Sequence, residues 1–190
     1  MKKIGVIGGS GFIGSYITKK FLKERHHVKV SATDIFNEEK YKHLWKLENS
    51  DRLQIQQLDV ANEEELQEFV SDCSIIIHGG TPFLLDFKDP QSELFDPTIK
   101  GTENILEIIN KTSSVTKVVF IASVAAYNTN FPMPAGEKSP NDIFNENDTP
   151  YINEDSHPYA QAKFLANQTV IKFINENPFI HFEITSVSPV

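Results

Sequence analysis

The sequence predicts a doubly wound α/β fold: an open parallel sheet with strand order 3-2-1-4-5-6 and helices on both faces. Three observations carry this. Short apolar runs alternate with segments of helical periodicity along the chain, the pattern of parallel strands joined by helical crossovers. A glycine-rich turn, Gly8 to Gly14, separates the first apolar run from the first helical segment. The right-handed crossover rule then orders the strands.

Taken in turn, Ile4-Gly5-Val6-Ile7 is apolar without alternation, as a strand buried on both faces requires. Ile13, Ile17, Phe21 and Leu22 recur at helical spacing and predict the inward face of the first helix. Val28 to Ala32 is the second strand, with Val28, Val30 and Ala32 on one face. Glu38 to Glu48 reads as a charged helix carrying Leu44 and Leu47 inward. Leu53 to Leu58 is the third strand, ending at Asp59, and Glu63-Glu64-Glu65 opens a helix whose acidic first turn suits its dipole. Ser74 to His78, Lys117 to Ile121 and Phe182 to Val187 supply the last three strands. Helices are expected over Pro97 to Asn110 and from near Tyr159 to Ile174. Asn128 to Pro158 is irregular, rich in Pro, Asn, Asp and Glu. A loop of that length is functional or disordered, so it reads either as a flap over a site or as an acidic surface loop.

Bulk properties narrow the function. With 190 residues and 39% hydrophobic content the chain is expected to form one domain with its own core. A net charge of −8 disfavours nucleic acid and anionic membrane surfaces as partners. There is no apolar run of about 20 residues to span a bilayer. Glycines interrupt any signal-peptide core after Met1-Lys2-Lys3-Ile4. Cys73 is the only cysteine, which excludes an intrachain disulfide and points to the cytoplasm; beside Ile75-Ile76-Ile77 it reads as a small core residue. His26 and His27 are adjacent and His78 and His181 isolated, so no zinc spacing exists and no metal is expected.

The glycine spacing is G-x-x-G-x-x-G. Such glycines allow positive φ and close approach of backbone to a pyrophosphate, and the amides of the following helix face its charge. Gly8, Ser10, Gly11, Phe12, Ile13 and Gly14 are therefore candidate dinucleotide contacts. Tyr159 and Lys163 are four apart on a predicted helix and share a face. A free tyrosine titrates near 10. An ammonium about 4 Å away, worth roughly 4 kcal/mol at an effective dielectric near 20, is expected to draw the phenol down by roughly two to three pH units. Ser123 follows the fifth strand, where a hydroxyl can donate to a carbonyl oxygen that gains negative charge.

Gly8 to Gly14 resembles the opening of the extended short-chain dehydrogenase/reductase superfamily, the NAD-dependent epimerase/dehydratase family. Asp59-Val60 resembles that family's acidic residue beside the adenine, and Ile77 to Pro82 resembles the segment whose backbone lines the cofactor, with Gly79, Gly80 and Thr81 as the contacts. Asp96 to Thr102 and Tyr41 to Leu44 are most similar to the dihydroflavonol-4-reductase-like branch. The resemblance spans Met1 to Val190. It implies a Rossmann-type fold and reduction of a ketone or aldehyde by hydride from a nicotinamide. Tyr159 then exchanges the oxygen's proton, Lys163 tunes Tyr159 and holds the nicotinamide ribose, and Ser123 orients the oxygen. Asn128 matches a substrate-contacting asparagine of that branch, and by itself reads equally as a loop turn.

Cofactor choice divides. Ala32 fills the usual acid position and Thr33 stands where the branch has arginine. Asp34 favours NAD, whereas Lys40, the missing acid and the branch favour NADP, and the balance leans to NADP. Lys40 also reads as a solvated helix residue. Two other functions stay open. One is a nucleotide-sugar epimerase of the same superfamily, against which Thr98 and Asn128 depart from the epimerase pattern. The other is a non-catalytic NAD(P)-binding module, because family members continue well beyond a strand like Phe182 to Val187. The chain is expected to be the cofactor-binding domain, 1–190, with the substrate domain largely absent. The expected partner is a small carbonyl compound or nucleotide sugar, and the superfamily implies a homodimer through the helices around 100–110 and 159–174.

Overall fold

In the computed structural model six strands form one parallel sheet in the order β3-β2-β1-β4-β5-β6, the order expected. The structure describes residues 2–79, 87–136, 138–139, 141–142 and 145–189. The strands are β1 (Lys3–Ile7), β2 (His27–Ala32), β3 (Leu53–Gln57), β4 (Ile75–His78), β5 (Lys117–Ile121) and β6 (Glu183–Val187). The helices are α1 (Phe12–Lys23), α2 (Glu63–Val70), α3 (Asp96–Asn110) and α4 (Pro158–Glu176). The chain divides into two compact units: Met1–Thr81 with Asn104–Phe120 and Phe179–Ser186, and Pro82–Glu103 with Ile121–Pro178 and Val187–Val190.

All of the sheet except Ile121 and Val187, the last residues of β5 and β6, belongs to the first unit. Ile4 is in register with Val28 and with Ile75, and Val6 with Val30 and Ile77. Ile4, Val6, Val28, Val30 and Ile76 are all buried. Strands covered on both faces take apolar residues at successive positions, which is why they were legible without alternation.

Two elements differ from expectation. The face that α1 buries is Gly14, Thr18 and Leu22, while Ile13 is 46% exposed. Small size decides this: Gly14 and Thr18 let the helix sit hard against the glycine turn, and the Thr18 hydroxyl donates to the Gly9 carbonyl at 3.3 Å. Residues 38–48 form no α-helix but two 3₁₀ turns, Glu38–Lys40 and Lys42–Lys46. Tyr41 separates them with φ at −133°, its hydroxyl drawn 2.5 Å from the Ile35 carbonyl. Leu44 is fully buried as expected; Leu47 is half-buried.

A buried lysine anchors an ion group in the first unit. Lys29 on β2 is 2% exposed. Its Nζ donates to the Phe69 carbonyl (3.0 Å) and to Asp72 Oδ1 (2.5 Å) and lies 5.5 Å from the Phe69 ring centroid. Lys3 also pairs with Asp72. Burial pushes the Asp72 carboxyl up, but its hydrogen bonds to Lys29 and Lys3 and their charges outweigh it and hold the group below the usual carboxylate range. Neighbouring Cys73 is buried, and desolvation pushes its thiol up to about 12, as befits a core residue.

Asp72→Ala is expected to cost about 2 kcal/mol at neutral pH. This is below the range for stripping a buried charge of its partner, because Asp72 itself is half-exposed. The folded-state pKa lies below the unfolded one, so this contribution is present above the unfolded value and is lost as pH falls through the folded value. Urea unfolding of both proteins should show the gap at pH 7 closing toward pH 2; a gap independent of pH would refute the assignment.

Among the described residues no helix is long and apolar enough to cross a membrane. None of them form a cluster of three His, Cys, Asp or Glu able to hold a metal ion.

Candidate active site

The first unit carries the glycine turn. Gly8 takes φ at 77°, in the left-handed region that a side chain disfavours, and its N–H donates to Ser31 Oγ at 2.9 Å. Ser31 is a residue that sequence reading missed; the signal was a small hydroxyl on the face of β2 that also carries Lys29, opposite Val28, Val30 and Ala32. The Gly11 N–H closes the turn on the Gly8 carbonyl at 3.1 Å. Helix α1 then starts with Gly11 as its cap, without a side-chain cap and without an acidic residue in its first turn. No side chain therefore caps its first amides. Ser10 is half-buried, and Phe12 is exposed, edge-on to Tyr16 at 5.5 Å.

The other candidates of this unit follow the carboxyl ends of β2, β3 and β4. Thr33 and Asp34 are exposed just past β2, and Asp34 Oδ1 accepts the Phe36 N–H at 3.0 Å. Lys40 is exposed on its 3₁₀ turn. Asp59 holds its own loop, with Oδ1 accepting from Ala61 N at 2.9 Å, and the Val60 carbonyl accepts from Asn104 Nδ2 at 3.1 Å. The Gly79 N–H donates to Ile7 at the end of β1, 2.9 Å away. Gly80 and Thr81 lie outside the described residues.

The second unit carries the proton-transfer candidates. Ser123 and Tyr159 line one cavity of about 550 Å³. The backbone at Ser123 is extended, and its Oγ accepts the Ala125 N–H at 3.2 Å, capping the short turn Val124–Ala126 that follows β5. Lys163, 7% exposed, lies one helical turn beyond Tyr159. Its Nζ donates to the Ile121 carbonyl at 3.1 Å and stands 5.9 Å from the Tyr159 ring centroid. The expected depression of the phenol is corrected here. Burial holds Tyr159 above its ordinary pKa, with no offsetting contribution from Lys163, whose own burial brings it down to about 8. The ammonium donates to a carbonyl and stands 5.9 Å from the ring centroid, and burial of the phenol sets the direction of its shift.

The described residues between Asn128 and Pro158 are cross-linked, and several of them line the cavity. Asn128 bridges to Tyr151, Asn153 N–H donates to Thr129 Oγ1 (2.7 Å), and Lys138 pairs with Asp148 (2.7 Å). Thr129, Asn130 and Asn153 line the cavity. Asn128 does not: its Nδ2 donates to the Met133 carbonyl (2.9 Å) and its Oδ1 accepts from Asn130 N (2.9 Å), so both ends of the amide build the loop.

His157 was also missed. It is the N-cap of α4, and its Nδ1 accepts the Tyr159 N–H at 3.1 Å, so the ring proton of the neutral imidazole sits on Nε2. Pro158, in the first turn, needs no partner for a donor it lacks. His157→Ala is expected to cost about 1 kcal/mol and His157→Asn to recover most of it, since an amide oxygen also caps. Urea unfolding of the two variants checks this; equal losses would show that the cap contributes nothing.

Comparison with known proteins gives the family. Residues 5–181 match the model of the 3-beta hydroxysteroid dehydrogenase/isomerase family. Cinnamoyl-CoA reductase CAD2 of Medicago truncatula is 31% identical over 188 residues, covering 97% of this chain and 56% of that protein. The bifunctional dihydroflavonol 4-reductase/flavanone 4-reductase of Malus domestica is 31% identical, covering 93% and 51%. Among solved structures, yeast methylglyoxal/isovaleraldehyde reductase Gre2, complexed with NADPH, superposes with a TM-score of 0.80 at 27% identity, covering 99% of this chain and 57% of that one. The chain thus spans about half the length of the curated relatives it matches. A match over nearly the whole chain, on a sheet of this order, shows that the chain belongs to the 3-beta hydroxysteroid dehydrogenase/isomerase family of the extended short-chain dehydrogenase/reductases.

Proposed function

We propose that the chain is the cofactor-binding and proton-transfer part of an NAD(P)-dependent reductase of small ketones or aldehydes. The observation that carries this is the shared cavity of Ser123 and Tyr159 with Lys163 buried behind the tyrosine ring. The glycine turn fits a dinucleotide. A Cβ on Gly14 would stand 2.1 Å from the Gly8 carbonyl oxygen, so the turn and α1 close to a spacing only glycine allows, with uncapped amides at the helix start. When bound, the nicotinamide supplies hydride. The chain's own groups do the rest. Tyr159, kept protonated by burial, donates its proton to the carbonyl oxygen as charge develops there. Ser123 directs its hydroxyl to the same oxygen. Lys163, charged at neutral pH and buried beside the tyrosine ring, would hold the nicotinamide ribose. Asn128 is kept as a positioning residue of the loop.

NADP is the favoured form. Asp34 already uses one carboxylate oxygen within its loop, while Lys40 is exposed beyond β2, where a 2′-phosphate would meet it. The yeast relative's complex with NADPH supports the same choice. A buried lone cysteine supports a cytoplasmic setting.

The test is a fluorescence titration with NADPH and NADH, then NADPH oxidation with methylglyoxal and isovaleraldehyde, the compounds in the yeast relative's name. Saturable NADPH binding with turnover supports the reading. Binding without turnover favours the cofactor-binding module. Absence of binding sinks both.

A further inference from the structure

Phe36 is an exposed aromatic ring to which neither the phosphate turn nor the proton-transfer cavity assigns a role. It lies four residues past β2 and is 89% exposed. A bare phenyl on a mobile loop would be unremarked surface. This loop is pinned on both sides of it. The Phe36 N–H donates to Asp34 Oδ1 at 3.0 Å, the Asn37 N–H to the Asp34 carbonyl at 3.3 Å, and the Tyr41 hydroxyl to the Ile35 carbonyl at 2.5 Å. Tyr41 is itself buried, so the clamp is anchored in the core. The same strand is tied to the glycine turn by Ser31 and Gly8. In a doubly wound sheet a dinucleotide whose pyrophosphate rests on the turn after β1 extends its adenosine half past the carboxyl end of β2. Phe12 and Tyr16, exposed rings next to the glycine turn, lie on the first turns of α1 and meet each other edge-on.

We propose that Phe36 is the stacking platform for the adenine ring of the bound dinucleotide, with Asp34 acting as the loop-former that presents it. This rests on the reading of Gly8 to Gly14 as a dinucleotide turn. An adenine offers a π face of matching size, and such stacking needs no polar partner. It also gives the Asp34 carboxylate a role distinct from holding a ribose.

The experiment is calorimetric binding of NADPH, adenosine 2′,5′-bisphosphate and reduced nicotinamide mononucleotide to the chain and to Phe36→Ala and Phe36→Trp. Phe36→Ala should weaken NADPH and the bisphosphate by the same factor, on the order of tenfold, and leave the mononucleotide unchanged. Its thermal midpoint should not move, since the ring is exposed. Phe36→Trp should restore binding, with added indole emission quenched by the bisphosphate. Wild-type affinity of Phe36→Ala for the bisphosphate overturns the stacking role and leaves the cofactor reading standing. Failure of the unaltered chain to bind NADPH or NADH overturns the dinucleotide turn and this inference with it.

Discussion

Tyr159→Phe is expected to lower NADPH-dependent carbonyl reduction by about 10³-fold while NADPH affinity stays within about twofold. The substitution removes one oxygen from a side chain that lines the cavity, and the ring that Lys163 lies against is kept. Loss of a positioned general acid costs about 10²–10⁴ in rate, and the upper part of that range applies because burial favours the protonated phenol, the form that donates. The pH profile carries a second mark. Lys163 has a pKa of about 8, so it holds a proton below that pH and loses it above. Turnover of the unaltered chain should therefore decline as pH rises through about 8, and Lys163→Met should be slow at every pH with no such break. Steady-state NADPH oxidation from pH 6 to 10 reads both. Retention of more than a tenth of the rate by Tyr159→Phe would remove Tyr159 from the reaction.

How much of this was legible in the sequence follows from which force set each feature. The strands were legible because parallel strands are covered on both faces, so Ile4 to Ile7 and Ile75 to Ile77 must be apolar whatever their neighbours do. The glycine turn was legible because sterics admit little else there. The inward face of α1 was not, because Thr18 is buried for its size and its bond to Gly9, and hydrophobic periodicity does not register either. The 38–48 segment failed for a related reason: Tyr41 bonds to Ile35, a partner outside the segment, and that contact sets the break between the turns. Candidate residues could be named from the sequence, but their electrostatics could not. The spacing of Tyr159 and Lys163 gives a shared face; whether the ammonium meets the oxygen or the ring, and how far each is desolvated, depends on Ile121 and the packing of α4. Ser31, His157 and the internal bonding of Asn128 belong to the same class, since each depends on a partner brought near by the fold.

Gly14→Ala is the second change with a large expected effect, and it separates the cradle from the chemistry. A Cβ at this position would lie 2.1 Å from the Gly8 carbonyl oxygen and 2.7 Å from Gly9 Cα. Both are backbone atoms, so no side chain can rotate away; the turn must lift from α1 by roughly 1 Å to restore van der Waals contact. That movement works against the Gly8 N–H bond to Ser31 and the Thr18 bond to Gly9, which hold the turn against β2 and α1. Overpacking of this kind costs about 1–3 kcal/mol, and the upper end is expected, or a fall in thermal midpoint of about 10 °C for a chain of this size. The amides of the turn and the helix start would no longer face the same point, so NADPH affinity should fall more than a hundredfold. Gly8→Ala, which places a Cβ on a residue at φ 77°, should cost about 1–2 kcal/mol by strain alone. Thermal unfolding and NADPH titration of the two variants distinguish the causes. If Gly14→Ala binds NADPH normally at a temperature where it is folded, the Gly8 to Gly14 turn is not where the pyrophosphate rests.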